Sequence, residues 1–233
     1  MNGKRVLIVG GSSGIGLQLA ANLLEKGAEV IIASRSADKL AAAKTKLGKT
    51  VSTYQLDASN EKAVIKFFSA IGNFDSLVST IKPEHLTSPF IESSTTNTRN
   101  AFEAKFWGQY NLTRHCLETI SKKGSITLTS GIASKRGYLG FTGTAAINGA
   151  IESLVKSLSV EISPIRVNAV SPGFIERFDD DSERLAIVKN LGSRIPLNRL
   201  GTLSEVSAAY EYLLGNDYTS GMVLTIDGGE LCA

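Results

Sequence analysis

The stretch RVLIVGGSSGIG, residues 5–16, joins an apolar β-branched run directly to a glycine-rich turn. The residues that follow place Ile15, Leu19, Leu23 and Leu24 on one stripe of a helix. A turn between a strand and a helix collects the first amides of the helix and the positive end of its dipole, and these groups bind phosphate. The stretch therefore predicts a phosphate-binding turn after a first strand.

The spacing of three glycines indicates what this turn would hold. Gly10 permits a tight turn, Gly14 lets a pyrophosphate approach the backbone, and Gly16 allows the helix to pack closely. An ordinary turn between a strand and a helix is the alternative, and a glycine-rich loop alone is weak evidence against it. Because a strand and a helix both flank this loop, the sequence favours dinucleotide binding.

Short β-branched runs alternate with longer helical patterns along the rest of the chain, as is typical of parallel βαβ units. The strand candidates are residues 5–9, 29–33, 51–56, 76–79, 125–129, 166–170 and 222–226. Further helix candidates are residues 36–47, 60–71, 98–120 and 145–162, and a last helix begins at a capping-box pattern of Thr202 and Glu205. The sequence thus predicts an α/β fold with a seven-stranded parallel sheet.

Composition limits the class of protein. The chain has 233 residues and is 42% hydrophobic, enough for one sizeable core, so we expect a single domain over residues 1–233. The net charge is +3 without a run of five Lys or Arg, which argues against a nucleic-acid partner. Cys116 and Cys232 show no metal-ligand spacing, so we expect no metal and a reduced, cytoplasmic location. No stretch approaches the ~20 apolar residues that span a bilayer, so no membrane association is expected.

The end of the second strand candidate bears on the choice of cofactor. NAD-binding proteins place Asp or Glu there to bond the ribose 2′-hydroxyl, whereas this chain has Ser34, Arg35 and Ser36. A guanidinium and hydroxyls suit a 2′-phosphate, so NADP(H) is favoured. The alternative is that Arg35 merely begins a solvated helix. Asp57 would lie at the adenine edge or, equally, would cap the following helix.

Several segments together resemble the short-chain dehydrogenase/reductase family. They are the glycine turn, the Asp57 turn, ITLTSG at 126–131, RVNAVSPG at 166–173, and IPLNRLGTLSEV at 195–206 leading to LTIDGG at 224–229. The resemblance implies a doubly wound Rossmann fold that moves a hydride between NAD(P)(H) and a carbonyl or alcohol of a small molecule, usually as a homodimer or homotetramer. Besides the residues already named, it implies cofactor contacts from Ser12, Ser13, Ile15, Ala58, Ser79, Thr80, Asn148, Pro172, Gly173, Phe174 and Ile175.

One stretch departs from the family. Residues 140–151, GFTGTAAINGAI, contain no side chain that titrates, yet family members carry Tyr-x-x-x-Lys in this region, with the Tyr as proton donor or acceptor. Alignment without a gap puts Thr144 at the Tyr position and Asn148 at the Lys position. The usual catalytic pair is therefore predicted to be absent.

The remaining two catalytic positions of the family also differ. The family's Ser falls on Gly131, although a shift of one residue would place it on Ser130, and the family's Asn falls on Lys105. Thr144 can donate a hydrogen bond, but an aliphatic hydroxyl is too weak an acid to deliver a proton unaided. Lys105 would supply the missing charge if its side chain reaches the cleft; the alternative is an exposed helix lysine. Lys105, Ser130, Thr144 and Asn148 are the catalytic candidates.

Three functions fit this pattern. The first is an NADP(H)-dependent oxidoreductase with an unusual proton path, the second a non-redox enzyme such as a cyclase or isomerase, and the third a catalytically silent NADP(H)-binding protein. Residues 174–200 have the least regular pattern and are interpreted as a substrate lid. Members of the family use two long helices in their subunit contacts. We therefore expect a subunit interface that includes Phe102, Phe106, Ile147, Ile151, Leu154 and Leu158.

Overall fold

In the computed structural model, the described residues are 1–83, 87–176 and 195–233, and they contain one sheet of seven parallel strands. The strands follow the order β3-β2-β1-β4-β5-β6-β7. Their bounds are β1 Arg5–Val9, β2 Glu29–Ser34, β3 Ser52–Gln55, β4 Phe74–Ser79, β5 Ile120–Thr129, β6 Arg166–Pro172 and β7 Val223–Ile226. The predicted α/β fold is confirmed.

The strand order reverses between β1 and β4, which pair in parallel from Val6 and Ser76 to Val9 and Ser79. Connections from these two strands lead to opposite ends of the sheet, so a crevice opens at their carboxyl ends. Ligands of doubly wound sheets bind in such a crevice. The topology therefore directs the search for a site to the turns that follow Val9, Ser79 and their neighbours.

Helices cover both faces of the sheet. They are α1 Gly14–Glu25, α2 Ala37–Leu47, α3 Glu61–Ile71, α4 Thr95–Ala101, α5 Gly108–His115, α6 Thr142–Glu161 and α7 Leu203–Gly215. Side chains at the N-cap fix several helix starts: Ser36 accepts from Lys39 N, and Asn60 accepts from Ala63 N. Thr202 and Glu205 form the predicted capping box at the start of α7.

Two apolar cores lie against the sheet. The first contains Leu19 and Leu23 of α1 with Tyr210 of α7. The second packs α3, α5 and α6 on the opposite face, and it includes Ile147 and Ile151, whose exposed fraction is zero. These two residues were predicted at a subunit interface, and for them that prediction is wrong because the sheet side of α6 already buries them. Phe102, Phe106, Leu154 and Leu158 are only partly buried.

The helix predicted over residues 98–120 is broken into unlike parts. A π-helical segment, Phe102–Trp107, separates α4 from α5, and the amide of Gly108 bonds back to the carbonyl of Glu103. A π turn holds one residue more than an α turn, so it rotates the side chains that follow and often marks a functional site. Lys105 lies within this segment and is buried, and residues 116–119 lead into β5 rather than continuing the helix.

The predicted lid, residues 174–200, falls largely outside the described residues. At its two ends, Ile175 and Gly201 form an isolated parallel bridge. Within residues 1–83, 87–176 and 195–233, the helices are all too short or too polar to cross a bilayer.

Candidate functional site

The glycine turn has the geometry that its spacing predicts. Gly10 has φ +93°, and a Cβ there would lie 2.6 Å from Thr80 Oγ1. A Cβ on Gly16 would lie 2.5 Å from the Gly10 carbonyl oxygen, so α1 packs against the turn more closely than any side chain allows. Gly14 has φ +52° and open space where its Cβ would point. The turn is tight on the protein side and open at Gly14.

This opening fits a pyrophosphate. Ser13, the N-cap residue of α1, has an extended backbone and makes no side-chain capping bond, and the first turn of α1 carries no acidic residue. The first amides of α1 and its dipole thus remain available to an anion. Ser12 is nearly buried within the same turn, and Ile15 is half-buried at the start of the helix.

The end of β2 brings Ser34, Arg35 and Ser36 beside this turn. Gly10 N donates to Ala33 O at 2.7 Å, which joins the glycine turn to the last residues of β2. Arg35 is exposed, and Ser36 caps α2 by accepting from Lys39 N at 3.2 Å. Arg35 therefore follows directly on the strand end that is bonded to the glycine turn.

Asp57 does not cap the helix that follows it, which was one of its two predicted roles. Its Oδ1 accepts from Ser59 N at 3.0 Å and from Ser59 Oγ at 2.7 Å, forming a local turn after β3. The cap of α3 is Asn60, so the alternative that Asp57 caps this helix is wrong. Ala58 follows at the same edge and accepts from Asn111 Nδ2 through its carbonyl at 3.1 Å.

The other predicted cofactor residues lie at neighbouring strand ends. Thr80 N donates to Val9 O at 2.8 Å, which holds the turn after β4 against the glycine turn. Ser79 Oγ is buried and has no hydrogen-bond partner among the described residues. The backbone of Gly173 passes so close to Asp227 that a Cβ would lie 2.9 Å from it. Pro172 ends β6, and Phe174 and Ile175 continue from Gly173 as half-buried residues.

Lys105 is the central residue of the catalytic candidates. Its side chain is 5% exposed, and Nζ donates to Asn148 Oδ1 at 2.7 Å and to Ser130 O at 2.9 Å. The alternative of an exposed helix lysine is therefore wrong, because the π-helical segment turns the side chain inward. Burial lowers the pKa of Lys105 to about 7, and the nearby carboxylate of Glu152 opposes this shift.

Asn148 connects Lys105 to Gly131. While Oδ1 accepts from Lys105, Nδ2 donates to Gly131 O at 3.2 Å. A Cβ on residue 131 would lie 2.8 Å from Asn148 Nδ2, closer than real side chains approach. A glycine at this position therefore accommodates the amide of Asn148. Asn148 therefore contacts both Lys105 and Gly131, and these three residues occupy three of the four positions that the sequence alignment predicts to depart from the family pattern.

Ser130 joins the same cluster through both its backbone and its side chain. Its carbonyl accepts from Lys105, and its buried hydroxyl donates to Glu152 Oε1 at 3.0 Å. Ser134 Oγ donates to the same oxygen at 2.6 Å. Sequence reasoning missed Glu152, although its position four residues after Asn148 on α6 places both on one face of the helix.

Thr144 is not bonded into this cluster. It is half-buried one turn before Asn148, and its hydroxyl makes no hydrogen bond within the described part of the chain. Tyr138 donates through its hydroxyl to Glu230 Oε1 at 3.3 Å. Burial and the Glu230 carboxylate raise the pKa of Tyr138 to about 12, which makes it a weak proton donor at neutral pH.

Tyr138 instead forms one wall of an aromatic group before α6. Its ring packs edge-on against Phe174 at 5.5 Å and against Phe141 at 5.9 Å. Tyr110 is not part of this aromatic group. It packs against Phe106 and Trp107 on the outer side of the π-helical segment and of α5. Neither tyrosine contacts the Lys105 cluster by a hydrogen bond, and of the catalytic candidates the structure brings together Lys105, Ser130 and Asn148.

Comparison with known proteins agrees with this architecture. A family model described as Enoyl-(Acyl carrier protein) reductase matches residues 9–230. The chain is 32% identical to a short-chain dehydrogenase/reductase, ATR9, of Stachybotrys chlorohalonatus, over 98% of this chain and 97% of that protein. It is 31% identical to a glucose 1-dehydrogenase of Gluconobacter oxydans, over 97% and 91% of the two chains.

A solved structure extends the likeness to three dimensions. The crystal structure of a small-chain dehydrogenase in complex with NADPH matches with a TM-score of 0.87 and 33% identity, over 100% of both chains. The residues that this family model and these relatives match include the glycine turn, the Lys105 cluster and the strand ends around them. The chain belongs to the short-chain dehydrogenase/reductase family of oxidoreductases.

Proposed function

We propose that this chain is an NADP(H)-dependent oxidoreductase that interconverts a carbonyl and an alcohol of a small molecule, with Lys105 in the proton path. The observation that carries the proposal is the buried Lys105 amine, held at the carboxyl end of β5 by Ser130 O and Asn148 Oδ1. This is the same edge of the sheet at which the glycine turn opens. The glycine turn and a titratable group therefore lie at the same edge of the sheet.

The cofactor half of the proposal rests on the open turn at Gly14 and on the end of β2. The amides of α1 would bind the pyrophosphate, and Arg35 with Ser34 and Ser36 would bind the 2′-phosphate. NADP(H), when bound, supplies or accepts the hydride. The complex of a relative with NADPH supports this choice.

The proton half rests on the chemistry of Lys105. A lysine ammonium has three N–H donors, and two are bonded to Ser130 O and Asn148 Oδ1. The third has no protein partner among the described residues and, in this proposal, donates to a water or to a substrate oxygen. With a pKa of about 7, Lys105 can release a proton during carbonyl reduction and regain one from water near neutral pH. Thr144, one turn earlier on α6, has an uncommitted hydroxyl that can orient the substrate oxygen.

The two alternatives, a non-redox enzyme and a silent NADP(H)-binding protein, have one observation in their favour. The two hydrogen bonds of Lys105 Nζ both go to oxygens of the protein. A lysine that only stabilises the fold would make the same bonds. Each alternative requires cofactor binding without consumption of NADPH. An assay that follows binding and turnover separately therefore distinguishes them from the oxidoreductase.

The test is to screen aldehydes and ketones with NADPH at pH 6–8, following loss of absorbance at 340 nm, in the wild type and in Lys105→Met. We expect turnover that decreases as pH rises through about 7, and a loss of roughly 10²–10⁴-fold in Lys105→Met. Lys156→Met removes an exposed lysine from α6 and should leave the rate unchanged. Brisk reduction that survives Lys105→Met would refute the proton path. NADPH-induced thermal stabilisation without any turnover would favour the alternatives.

A further inference from the structure

Glu152 lies on α6 one turn beyond Asn148, outside the four catalytic positions of the family. It is half-buried, and one of its oxygens, Oε1, accepts hydrogen bonds from both Ser130 Oγ at 3.0 Å and Ser134 Oγ at 2.6 Å. Two hydroxyl donors on one carboxylate oxygen hold the side chain in a single direction. The carboxylate is therefore a fixed charge rather than a mobile surface group.

Ser130 is shared by this carboxylate and by Lys105. Its hydroxyl donates to Glu152, and its carbonyl accepts from Lys105 Nζ. The two charges are thus on either side of one residue and do not form a direct ion pair. Such a separation keeps the amine available to other partners while the carboxylate still acts on it through space.

No other charged group in the described ranges has a comparable position. Among the residues that the structure describes, Glu152 is the one whose charge acts on Lys105. The charged residues of the segments packed around Lys105 are exposed or lie at distant helix ends: Arg99, Glu103, Arg114, His115, Lys156 and Glu161. Lys135 and Arg136, beyond Ser134, bond instead to Thr225 Oγ1 and to the carbonyl of Glu230.

We infer that Glu152 is a positioning residue of this site, which keeps Lys105 protonated near neutral pH and fixes the hydroxyl of Ser130. The inference rests on the proposed function, in which the protonated amine of Lys105 is the reactive form. A buried amine loses its proton readily because the charged form is poorly solvated. A fixed carboxylate nearby favours the charged form and so offsets part of that penalty.

The hydrogen bonds to Glu152 have a second consequence for Ser130. A serine hydroxyl has one proton to donate, and here that proton is directed to Glu152 Oε1. The oxygen of Ser130 therefore presents lone pairs, and not a proton, to any further partner. Removing the carboxylate would free this proton, so Glu152 controls both a charge and the direction of a hydrogen bond.

The test measures the protonation of Lys105 directly, by NMR of protein labelled with ¹³C at the lysine ε-carbons. The Lys105 signal is assigned by its absence in Lys105→Met, and it is followed from pH 5 to pH 10 in the wild type and in Glu152→Gln. We expect the midpoint in Glu152→Gln to be lower by about one pH unit, as is typical for loss of one nearby opposite charge. Glutamine has nearly the same size and can still accept from the serines.

Two further variants separate charge from packing. Glu103→Gln removes an exposed carboxylate two residues from Lys105 and should leave the midpoint unchanged, because solvent screens that charge. Ser134→Ala removes the hydroxyl that bonds to Glu152 Oε1 and to Gly131 O but keeps the Glu152 charge, and its midpoint should stay close to that of the wild type. If Glu152→Gln does not fold, Glu152→Asp moves the charge on to a shorter side chain, and its midpoint should be lower than that of the wild type.

The outcomes distinguish this inference from the proposed function. An unchanged or raised midpoint in folded Glu152→Gln would overturn the role of Glu152, whether or not the enzyme turns over. A lowered midpoint together with a matching shift of the pH dependence of kcat/KM to lower pH supports both. A wild type that binds NADPH but reduces no carbonyl refutes the proposed function, while the NMR midpoint still decides whether Glu152 sets the charge of Lys105.

Discussion

Lys105 Nζ donates a hydrogen bond to Asn148 Oδ1 at 2.7 Å. In the sequence alignment, Lys105 lies at the position of the family's Asn, and Asn148 lies at the position of the family's Lys. The sequence alignment predicts that the two residue types are exchanged relative to the family, so that one amine and one amide are kept but the helices that carry them are reversed. The exchange involves the π-helical segment, which turns Lys105 toward α6. A cluster of mutually bonded residues is more consistent with a built site than with random loss of catalytic groups.

The exchange predicts coupling between the two positions. Asn148→Lys alone would bring two amines together in a buried site, and it should lower the free energy of unfolding by roughly 3 kcal/mol or more. Lys105→Asn alone would leave Ser130 O and Asn148 Oδ1 without their donor, at a cost of about 1–3 kcal/mol for each unsatisfied group. The double variant restores one amine and one amide.

We therefore expect the double variant Lys105→Asn with Asn148→Lys to be more stable than the sum of the single effects by at least about 1 kcal/mol. Urea denaturation of all four proteins at pH 6 measures this coupling. Additive effects within error would show that the two side chains do not act as a pair, whatever their distance.

Lys105 should also make stability depend on pH. Its pKa is about 7 in the folded chain and 10.5 in an unperturbed lysine, so the unfolded state holds this proton more tightly. Burying the protonated amine lowers the free energy of unfolding, and this loss has its full size below pH 7. As pH rises from about 7 toward 10.5, the free energy of unfolding increases by roughly 1.4 kcal/mol for each pH unit. Lys105→Met lacks the group and should lack this rise.

The measurement is the free energy of unfolding at pH 6, 7.5 and 9 in the wild type, in Lys105→Met and in the exposed control Lys156→Met. Relative to Lys105→Met, the wild type should gain stability with increasing pH, whereas Lys156→Met should follow the wild type. A constant difference between wild type and Lys105→Met would mean that Lys105 is protonated throughout this range.

The sequence was sufficient for features that depend on local chemistry. The strand pattern, the Thr202 and Glu205 capping box, and the glycine turn all follow from residue types at short spacing. The burial of Lys105 does not, because a π turn changes which side of a helix a residue faces without leaving a mark on the apolar periodicity. Glu152 was missed since its partners, Ser130 and Ser134, come from another segment.

Arg35 is predicted to determine the preference for NADPH over NADH. A charge-assisted bond to the 2′-phosphate contributes ~1.5–3 kcal/mol, which corresponds to roughly 10- to 100-fold in Kd. Arg35→Ala should remove most of this preference and leave the affinity for NADH nearly unchanged. Lys39→Ala, which removes another exposed cation from the start of α2, is the matched control. Equal affinities of the wild type for both cofactors, by calorimetry, would contradict the assignment.

The outer side of the π-helical segment and α5 is predicted to lie in a subunit interface. Trp107 is 43% exposed and Tyr110 is 38% exposed, and they contact each other and Phe106. We propose a homodimer or homotetramer, so light scattering should give a multiple of the 24.8 kDa chain mass. Trp107→Glu should shift the mass toward one chain, because a carboxylate in an apolar contact is costly. If light scattering gives the wild type the mass of a single chain at micromolar concentration, the proposal is refuted.

Gly131 provides a last test of the interlocked cluster, since the absence of its side chain makes room for Asn148 Nδ2. A Cβ at residue 131 would lie 2.8 Å from that nitrogen, and the amide would have to leave Gly131 O and disturb the bond from Lys105. We expect Gly131→Ala to lower the free energy of unfolding by roughly 1–3 kcal/mol. Gly149→Ala is the matched control, because it adds the same methyl group on α6 where no atom of the described residues lies within 4 Å, and it should stabilise the helix by about 0.5–1 kcal/mol. If Gly131→Ala is as stable as the wild type, the contact between residues 131 and 148 does not constrain the site.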